Sequence, residues 1–376
     1  MRLLHTSDWH LGRSFHREDL RDAQRAFVDH LVETVRDRSV DCVLVSGDVY
    51  DRALPPVDAV RLCGDALRRL SRLARVVLIG GNHDSAHRLG FGSELMDAAG
   101  VHLRTTPDTV GTPVLVEGVA VYGIPYLEPE LVRSEWDLEE RSHTAVLTEA
   151  MRRVRADRDE RGTASVVLAH AFVTGGEPSD SERDISVGGT AHVPAGVFDG
   201  VDYVALGHLH GRQRITDRVR YSGSPLAYSF SEARHRKGSW LVDLDGDGAM
   251  TAEFVDAPVP RPLGHLRGRL DELLSDPRHE AVEGHWLHVT LTDAQRPRDA
   301  MERLRARFPH ALVLAFEPEG GPGDDRPSWT RRVRGRGDMD IACDFVTEVT
   351  GAAPDPAERA LLHEALESCR RKEALR

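Results

Sequence analysis

The chain has 376 residues, 40% of them hydrophobic and 29% charged, with a formal net charge of -12. That length supports a substantial core and more than one domain. No apolar run approaches the roughly 18 residues of a membrane span, and Cys42, Cys63, Cys343 and Cys369 lack CxxC spacing and are too few for a disulfide framework. The acidic balance opposes long-range steering of anions, yet salt confines surface fields to about 8 to 10 Å, so a local cationic site can still hold one.

Met1-Arg2 runs straight into apolar Leu3-Leu4 without a charged-then-apolar leader pattern, so a cytoplasmic chain is expected. Leu20, Ala23, Phe27, Leu31 and Val35 recur at helical steps behind Asp19, a start signal. A second helix is predicted from Pro55-Pro56 to about Leu73, with Val60, Leu67 and Leu70 on one side. Between and after these helices lie apolar runs that read as strands: Leu3-Leu4, Cys42 to Val45, Val76 to Ile79, Val166 to Leu168 and Val204 to Leu206. The alternation is an α/β signature. Val114 to Ile124 and Val219 to Phe254 are richer in strands, and Asp245-Gly246-Asp247-Gly248 reads as a hairpin turn.

After Pro258, Pro260 and Pro262 the pattern changes. Leu263 to Leu270 looks extended, His285 to Leu291 alternates, Pro297 to Phe308 is helical and Ala311 to Phe316 is a strand, giving a small α+β unit. Glu317 to Gly337 reads as a Gly, Pro and Arg-rich linker. Ile341 to Val349 and Pro356 to Arg371 are short helices, either packing against the small unit or docking on another protein. The expected division is a catalytic domain over 1–258, a capping domain over 259–318, a linker over 319–339 and a helical tail over 340–376.

Five polar clusters each follow a strand-like run: Asp8-Trp9-His10, Gly47-Asp48, Gly80-Gly81-Asn82-His83-Asp84, His170 and Gly207-His208-Leu209-His210. Ligands gather at the carboxyl ends of strands in open sheets, so the five can converge on one site. If Asp8 and His10 continue a strand they share a side, with Trp9 facing the packing; His208 and His210 would approach from the opposite side. Nitrogen and oxygen donors without thiolate suit two ions of manganese, iron or zinc, and Asp48 on its tight turn is the natural bridge. Two divalent ions less Asp8, Asp48 and one hydroxide leave a positive charge that would attract a phosphodiester. His83, next to Asn82, is expected to act as general acid without binding metal. Asp84 either fixes that imidazole or caps a turn.

These motifs resemble the calcineurin-like metallophosphoesterase superfamily. The opening His5-Thr6-Ser7-Asp8-Trp9-His10-Leu11-Gly12-Arg13, with Gly47-Asp48-Val49-Tyr50-Asp51 and Tyr221-Ser222-Gly223-Ser224-Pro225-Leu226, is more narrowly similar to the SbcD nuclease subunits of bacterial SbcCD complexes. The resemblance implies an α/β fold: a metallophosphoesterase β-sandwich flanked by helices, a small capping domain and a C-terminal helical tail. It implies a first metal on Asp8, His10, Asp48 and His210, a second on Asp48, Asn82, His170 and His208, and His83 as the catalytic histidine. It also implies a manganese-dependent double-strand exonuclease and structure-specific endonuclease, a homodimer within a heterotetramer with an SbcC-like ATPase, acting in repair, recombination and replication. Because the chain has no GxxxxGK[ST] loop, any ATP-driven step must belong to another chain. Some relatives carry a histidine where this chain has Asp51; the bacterial branch commonly has an acidic residue there.

Arg13, His16, Arg17, Arg52 and Arg88 flank the clusters and could reach DNA phosphates or simply be solvated, as could the Arg331 to Arg336 run. His5, His143 and His192 fit no strand-end pattern and are expected to be structural or exposed. Of the basic residues only Lys237 and Lys372 are lysine, a bias attributed to genome composition. Two other readings compete: a small-molecule phosphodiesterase, which would need neither capping domain nor tail, and a non-catalytic scaffold, which would need no intact ligand set.

Overall fold

A computed structural model of the chain describes residues 1–186, 192–246, 248–319, 336–350 and 352–374. Two six-stranded mixed sheets form its centre. In the first, Arg2–Thr6, Cys42–Ser46, Arg75–Ile79 and Val101–Arg104 run parallel, and Gly238–Leu244 with Met250–Asp256 adds an antiparallel hairpin. That hairpin closes through Asp245 N–H donating to Ala249 O at 2.9 Å. In the second, Val119–Ile124, Ser165–His170, Tyr203–Gly207 and Val219–Tyr221 run parallel between short antiparallel edges.

The strands are apolar on both faces because both faces are covered. Leu3, Leu44, Val77, Ile79, Val121, Val166, Leu168 and Ala205 are buried in one core cluster contributed by the two sheets. The outer face of the first sheet packs on Arg21–Asp37 and Val57–Leu70 through Phe27, Leu31, Val35, Cys63 and Leu70. His143–Arg161 covers the second through Val146, Leu147, Ala150 and Val154. Asp19 Oδ1 accepts the Arg21 N–H at 2.9 Å, as its start signal required. In the second helix Ala59, Cys63, Ala66, Leu67 and Leu70 form the buried face, whereas Val60 is exposed. Val60 lies about 20° around the helix from Leu67 but about 60° from Cys63 and about 100° from Ala59, so it falls on the rim of the buried face and not at its centre.

Leu263–Gly268, Trp286–Leu291 and Ala311–Phe316 form a small parallel sheet. Helices Leu270–Ser275 and Ala300–Arg307 cross between successive strands, the connection that parallel neighbours require. The first of these helices begins where an extended run was expected to end. This sheet belongs to one compact unit with the two six-stranded sheets, Met1–Leu291 plus Pro297–Phe316. Thr292–Arg296 and Glu317–Arg376 form the other unit, in which Asp338–Thr350 and Pro356–Ala374 are helices packed on each other. Most of the expected linker, including 331–335 of the arginine run, lies outside the described residues. No helix among the described residues is long and apolar enough to cross a membrane.

Candidate metal centre

The polar clusters leave the parallel strands at their carboxyl ends, and tight backbone turns then decide where the side chains point. Asp8, His10, Asp48 and His208 have φ of 53°, 44°, 47° and 106°, a left-handed region in which side-chain-bearing residues are uncommon and which clusters at functional sites. Asp8 and His10 therefore converge through a left-handed loop after the strand ends at Thr6, not through strand alternation. Trp9 does face the core, its indole N–H on Thr6 Oγ1 at 3.0 Å. Asp8 N–H donates to Gly47 O and His10 N–H to Asp48 O, each at 3.0 Å, fastening the two loops together. Close approach makes two glycines obligatory. A Cβ on Gly81 would lie 2.1 Å from Asp48 Oδ1, and one on Gly207 would lie 1.8 Å from Ser46 O.

These turns bring all seven expected ligands, with His83, into one cluster that is buried except at half-buried Asn82 and His83. Asp48 Oδ2 lies 3.7 Å from His10 Nε2, 3.6 Å from His170 Nε2 and 3.9 Å from His83 Nε2. Asp48 Oδ1 accepts the His83 N–H at 2.9 Å. His10 Nε2 and His210 Nε2 are 3.0 Å apart, and Asn82 Oδ1 lies 2.9 Å from His170 Nε2 and 3.2 Å from His208 Nδ1. Asp8 accepts the Ser7 hydroxyl at 2.5 Å and the His208 N–H at 3.1 Å. Asp8 with His10 and His210, His10 with Asp48 and His83, and Asp8 with Asp48 and His170 each offer donor atoms within 4.8 Å of one another.

The electrostatics of the cluster fit a cation. Burial, then the Asp48 charge, push the Asp8 carboxyl well above the usual carboxylate range. Burial and neighbouring imidazoles hold His10 and His208 far below the ordinary histidine value, in the neutral form that binds metal. His170 shows the mismatch most directly. Its Nδ1 faces the Ser46 carbonyl at 2.9 Å and must donate there. Burial favours the neutral ring, so Nε2 presents a lone pair to Asn82 Oδ1, itself an acceptor. Two acceptors side by side form a lone-pair set that a cation can take. His10 Nδ1 and Asn82 Nδ2 are buried without a hydrogen-bond partner, and carboxylate, amide and imidazole donors without thiolate suit a divalent first-row ion.

One expected role needs correcting. Asp84 does not hold the His83 imidazole. Its Oδ2 accepts Val49 N–H at 3.0 Å and Gly81 N–H at 2.9 Å, and its Oδ1 accepts Tyr50 N–H at 2.9 Å. It thus clips the loop after the second strand to the loop after the third. His83 Nδ1 instead donates to the Asp51 carbonyl at 2.7 Å, leaving Nε2 toward the cluster.

Asp51 also borders the cluster. Its side chain lies 3.8 Å from His10 Nδ1 and 3.7 Å from Arg13 Nε, while Arg13 stacks over Tyr228 at 4.8 Å. His16, Arg17, Arg52 and Arg88 are exposed. His5 and His143 are buried, and His192 is exposed. Sequence reasoning passed over Glu182, whose Oε1 accepts the His210 N–H at 2.7 Å, and the Ser181, Glu232 and Lys237 side chains behind His210. No motif marks them; the one available signal was the rarity of lysine.

A family model of calcineurin-like phosphoesterases matches residues 1–212. A second, described as the type 5 capsule protein repressor C-terminal domain, matches residues 259–350. Among solved structures the chain is similar to an archaeal phosphodiesterase, at 12% identity and TM-score 0.30, with 68% of this chain and 100% of that one covered. It is also similar, at 12% identity and TM-score 0.38, to a Plasmodium protein described as the anchor in the inner membrane complex, with 86% of this chain and 98% of that one covered.

Proposed function

The chain belongs to the calcineurin-like phosphoesterase family, and from that premise we propose that it is the DNA nuclease subunit of an SbcCD-type complex. The observation that carries this reading is the order of the matched regions, a metallophosphoesterase core followed by an SbcD-type C-terminal domain. The substrates would be double-strand ends and hairpins, cut with an SbcC-like ATPase in repair, recombination and replication in the cytoplasm. The chain would work as a homodimer, dividing into a catalytic domain over 1–258, a capping domain over 259–318, a linker over 319–339 and a docking tail over 340–376.

In this reading Asp8, His10, Asp48 and His210 would hold one manganese ion, and Asp48, Asn82, His170 and His208 the other. The buried grouping of Asp8 with His10 and His210 supports the first set, and the approach of Asn82 Oδ1 to His170 Nε2 and His208 Nδ1 supports the second. Bound there, two such ions would supply Lewis acidity and lower the pKa of a coordinated water. The chain's own residues do the rest. The Asp48 loop and the Asn82 loop are locked by Asp84, so the donors are positioned before substrate arrives. The Asp51 carbonyl holds the His83 Nδ1 proton. A protonated His83 would then carry its transferable proton on Nε2, available to the leaving oxygen.

The test compares manganese-loaded protein on linear duplex DNA, hairpin DNA, cyclic nucleotides and bis(p-nitrophenyl) phosphate. Cleavage of DNA is expected. Turnover of the small substrates alone would favour a small-molecule phosphodiesterase, and metal binding without any turnover would favour a scaffold. Removing residues 338–376 should abolish co-purification with the ATPase while basal manganese-dependent activity persists.

A further inference from the structure

Behind His210, on the side away from the candidate metals, lies a buried polar line that no motif announces. Ser181 Oγ is 2.5 Å from His210 Nδ1 and 2.5 Å from Glu232 Oε1. The other Glu232 oxygen is paired with Lys237 Nζ, which also donates to the His210 carbonyl at 2.8 Å and to Ser224 Oγ at 2.9 Å. Glu232 is 1% and Lys237 5% exposed. A buried ion pair of this kind rarely adds net stability over a hydrophobic replacement, because desolvation offsets the attraction.

The direction of the line follows from its end. A carboxylate only accepts, so the Ser181 hydroxyl spends its single proton on Glu232, and its oxygen is left to accept. His210 must then donate from Nδ1. Its lone pair is fixed on Nε2, the nitrogen 3.0 Å from His10 Nε2 and grouped with Asp8 and His10. The backbone is held as firmly: Glu182 Oε1 takes the His210 N–H at 2.7 Å and Lys237 takes its carbonyl.

We propose that Ser181, Glu232 and Lys237 are positioning residues that set the His210 tautomer and aim Nε2 as a ligand of one metal. The inference rests on the reading of the cluster as a metal site. Its chemical rationale is general: a metal-binding imidazole is oriented through its other nitrogen, and loss of that support costs about 10- to 100-fold in affinity. The serine is the unusual part, since it makes the short contact to the ring while Glu232 Oε1 stands 3.8 Å from the same Nδ1.

Ser181→Ala and Ser181→Thr separate this role from packing. In the metal-free full chain, long-range ¹H–¹⁵N correlation reads the His210 tautomer directly. Wild type and Ser181→Thr should show the proton on Nδ1, and Ser181→Ala should lose that preference while its Tm stays within a few degrees. Manganese calorimetry should then show one of two sites weakened about 10- to 100-fold in Ser181→Ala and restored in Ser181→Thr. An Nδ1 proton retained in Ser181→Ala, or two unweakened sites, overturns the proposal. A wild-type protein that binds no manganese would overturn the metal reading itself, and the tautomer result would distinguish the two failures. Glu232→Gln/Lys237→Met, which removes both charges together, should reproduce the weakening; full affinity in that folded variant also overturns the proposal.

Discussion

The two sheets furnish the site in different ways. The first supplies both carboxylates, the amide and one imidazole, His10, on loops fixed largely by backbone hydrogen bonds and turns: left-handed turns at Asp8, His10 and Asp48, the paired N–H donations to Gly47 and Asp48, and the Asp84 clip. The second supplies three imidazoles, two of them fixed by what meets their far nitrogen. His170 Nδ1 is held by Ser46 O of the first sheet and His210 Nδ1 by Ser181. Charge is thus placed by short-range geometry, and lone pairs by long-range partners. The first sheet's share should fail through missing charge or broken clips, and the second's through misdirected rings.

The largest effect should come from Asp48, where the two contributions meet. Asp48→Asn removes the oxygen charge facing His10, His83 and His170. Metal occupancy should fall and phosphodiesterase activity should drop by at least about a thousandfold, the order expected when an electrostatic stabiliser is removed from a reacting centre. Metal analysis alongside kinetics checks it; unchanged occupancy would remove Asp48 as the bridge. His83→Ala should come next, with metal retained and DNA cleavage reduced about 100- to 1,000-fold, the range of a missing general acid. Full activity would end that role.

The seam between the sheets gives a third, smaller effect. His5, on the first strand, accepts the Tyr203 hydroxyl at Nδ1 (2.8 Å) and donates Nε2–H to Leu206 O (3.0 Å), both on the second sheet. The neutral ring satisfies both partners. Burial lowers its value to about 3. The unfolded chain then binds a proton near 6.5 that the fold refuses, so the contribution is complete above about 6.5 and is lost as pH falls toward 3. At pH 4.5 the cost is about 2 to 3 kcal/mol. Denaturation of wild type and His5→Gln from pH 7 to 4.5 should show a shallower slope in the variant; parallel slopes would clear His5.

The same division explains what the sequence disclosed. The strand-end clusters were legible because each lies within a few residues of an apolar run, and the family motifs fix their chemistry. The parallel core was legible from alternation with amphipathic helices. Other features depended on pairings that sequence separation conceals. Asp8 and His10 share a target because their φ values turn left-handed, which strand alternation does not predict. Ser181 and Glu232 stand 51 positions apart and meet only through folding. The lysine bias read as genome composition also hid something, since one of the two lysines is buried against Glu232.

Asp84 gives the smallest effect and the sharpest test of the contrast, because it sits next to His83, the proposed general acid, yet belongs to the backbone-held half. Its two oxygens accept three backbone N–H groups from Val49, Tyr50 and Gly81. In Asp84→Asn one oxygen becomes an amide donor, so at least one of those N–H groups loses its acceptor, costing about 1 to 3 kcal/mol. Burial and the Asp48 charge push the Asp84 carboxyl up to about 7, so the metal-free wild type should also lose stability as pH rises from about 4 to 7, and the variant should be spared that loss. Manganese stoichiometry should stay at two, and the rate should fall far less than in His83→Ala, because the His83 ring is held by Asp51 O. A rate loss equal to that of His83→Ala, with Tm unchanged, would mean that the carboxylate acts on the imidazole after all and that the boundary between the two halves runs elsewhere.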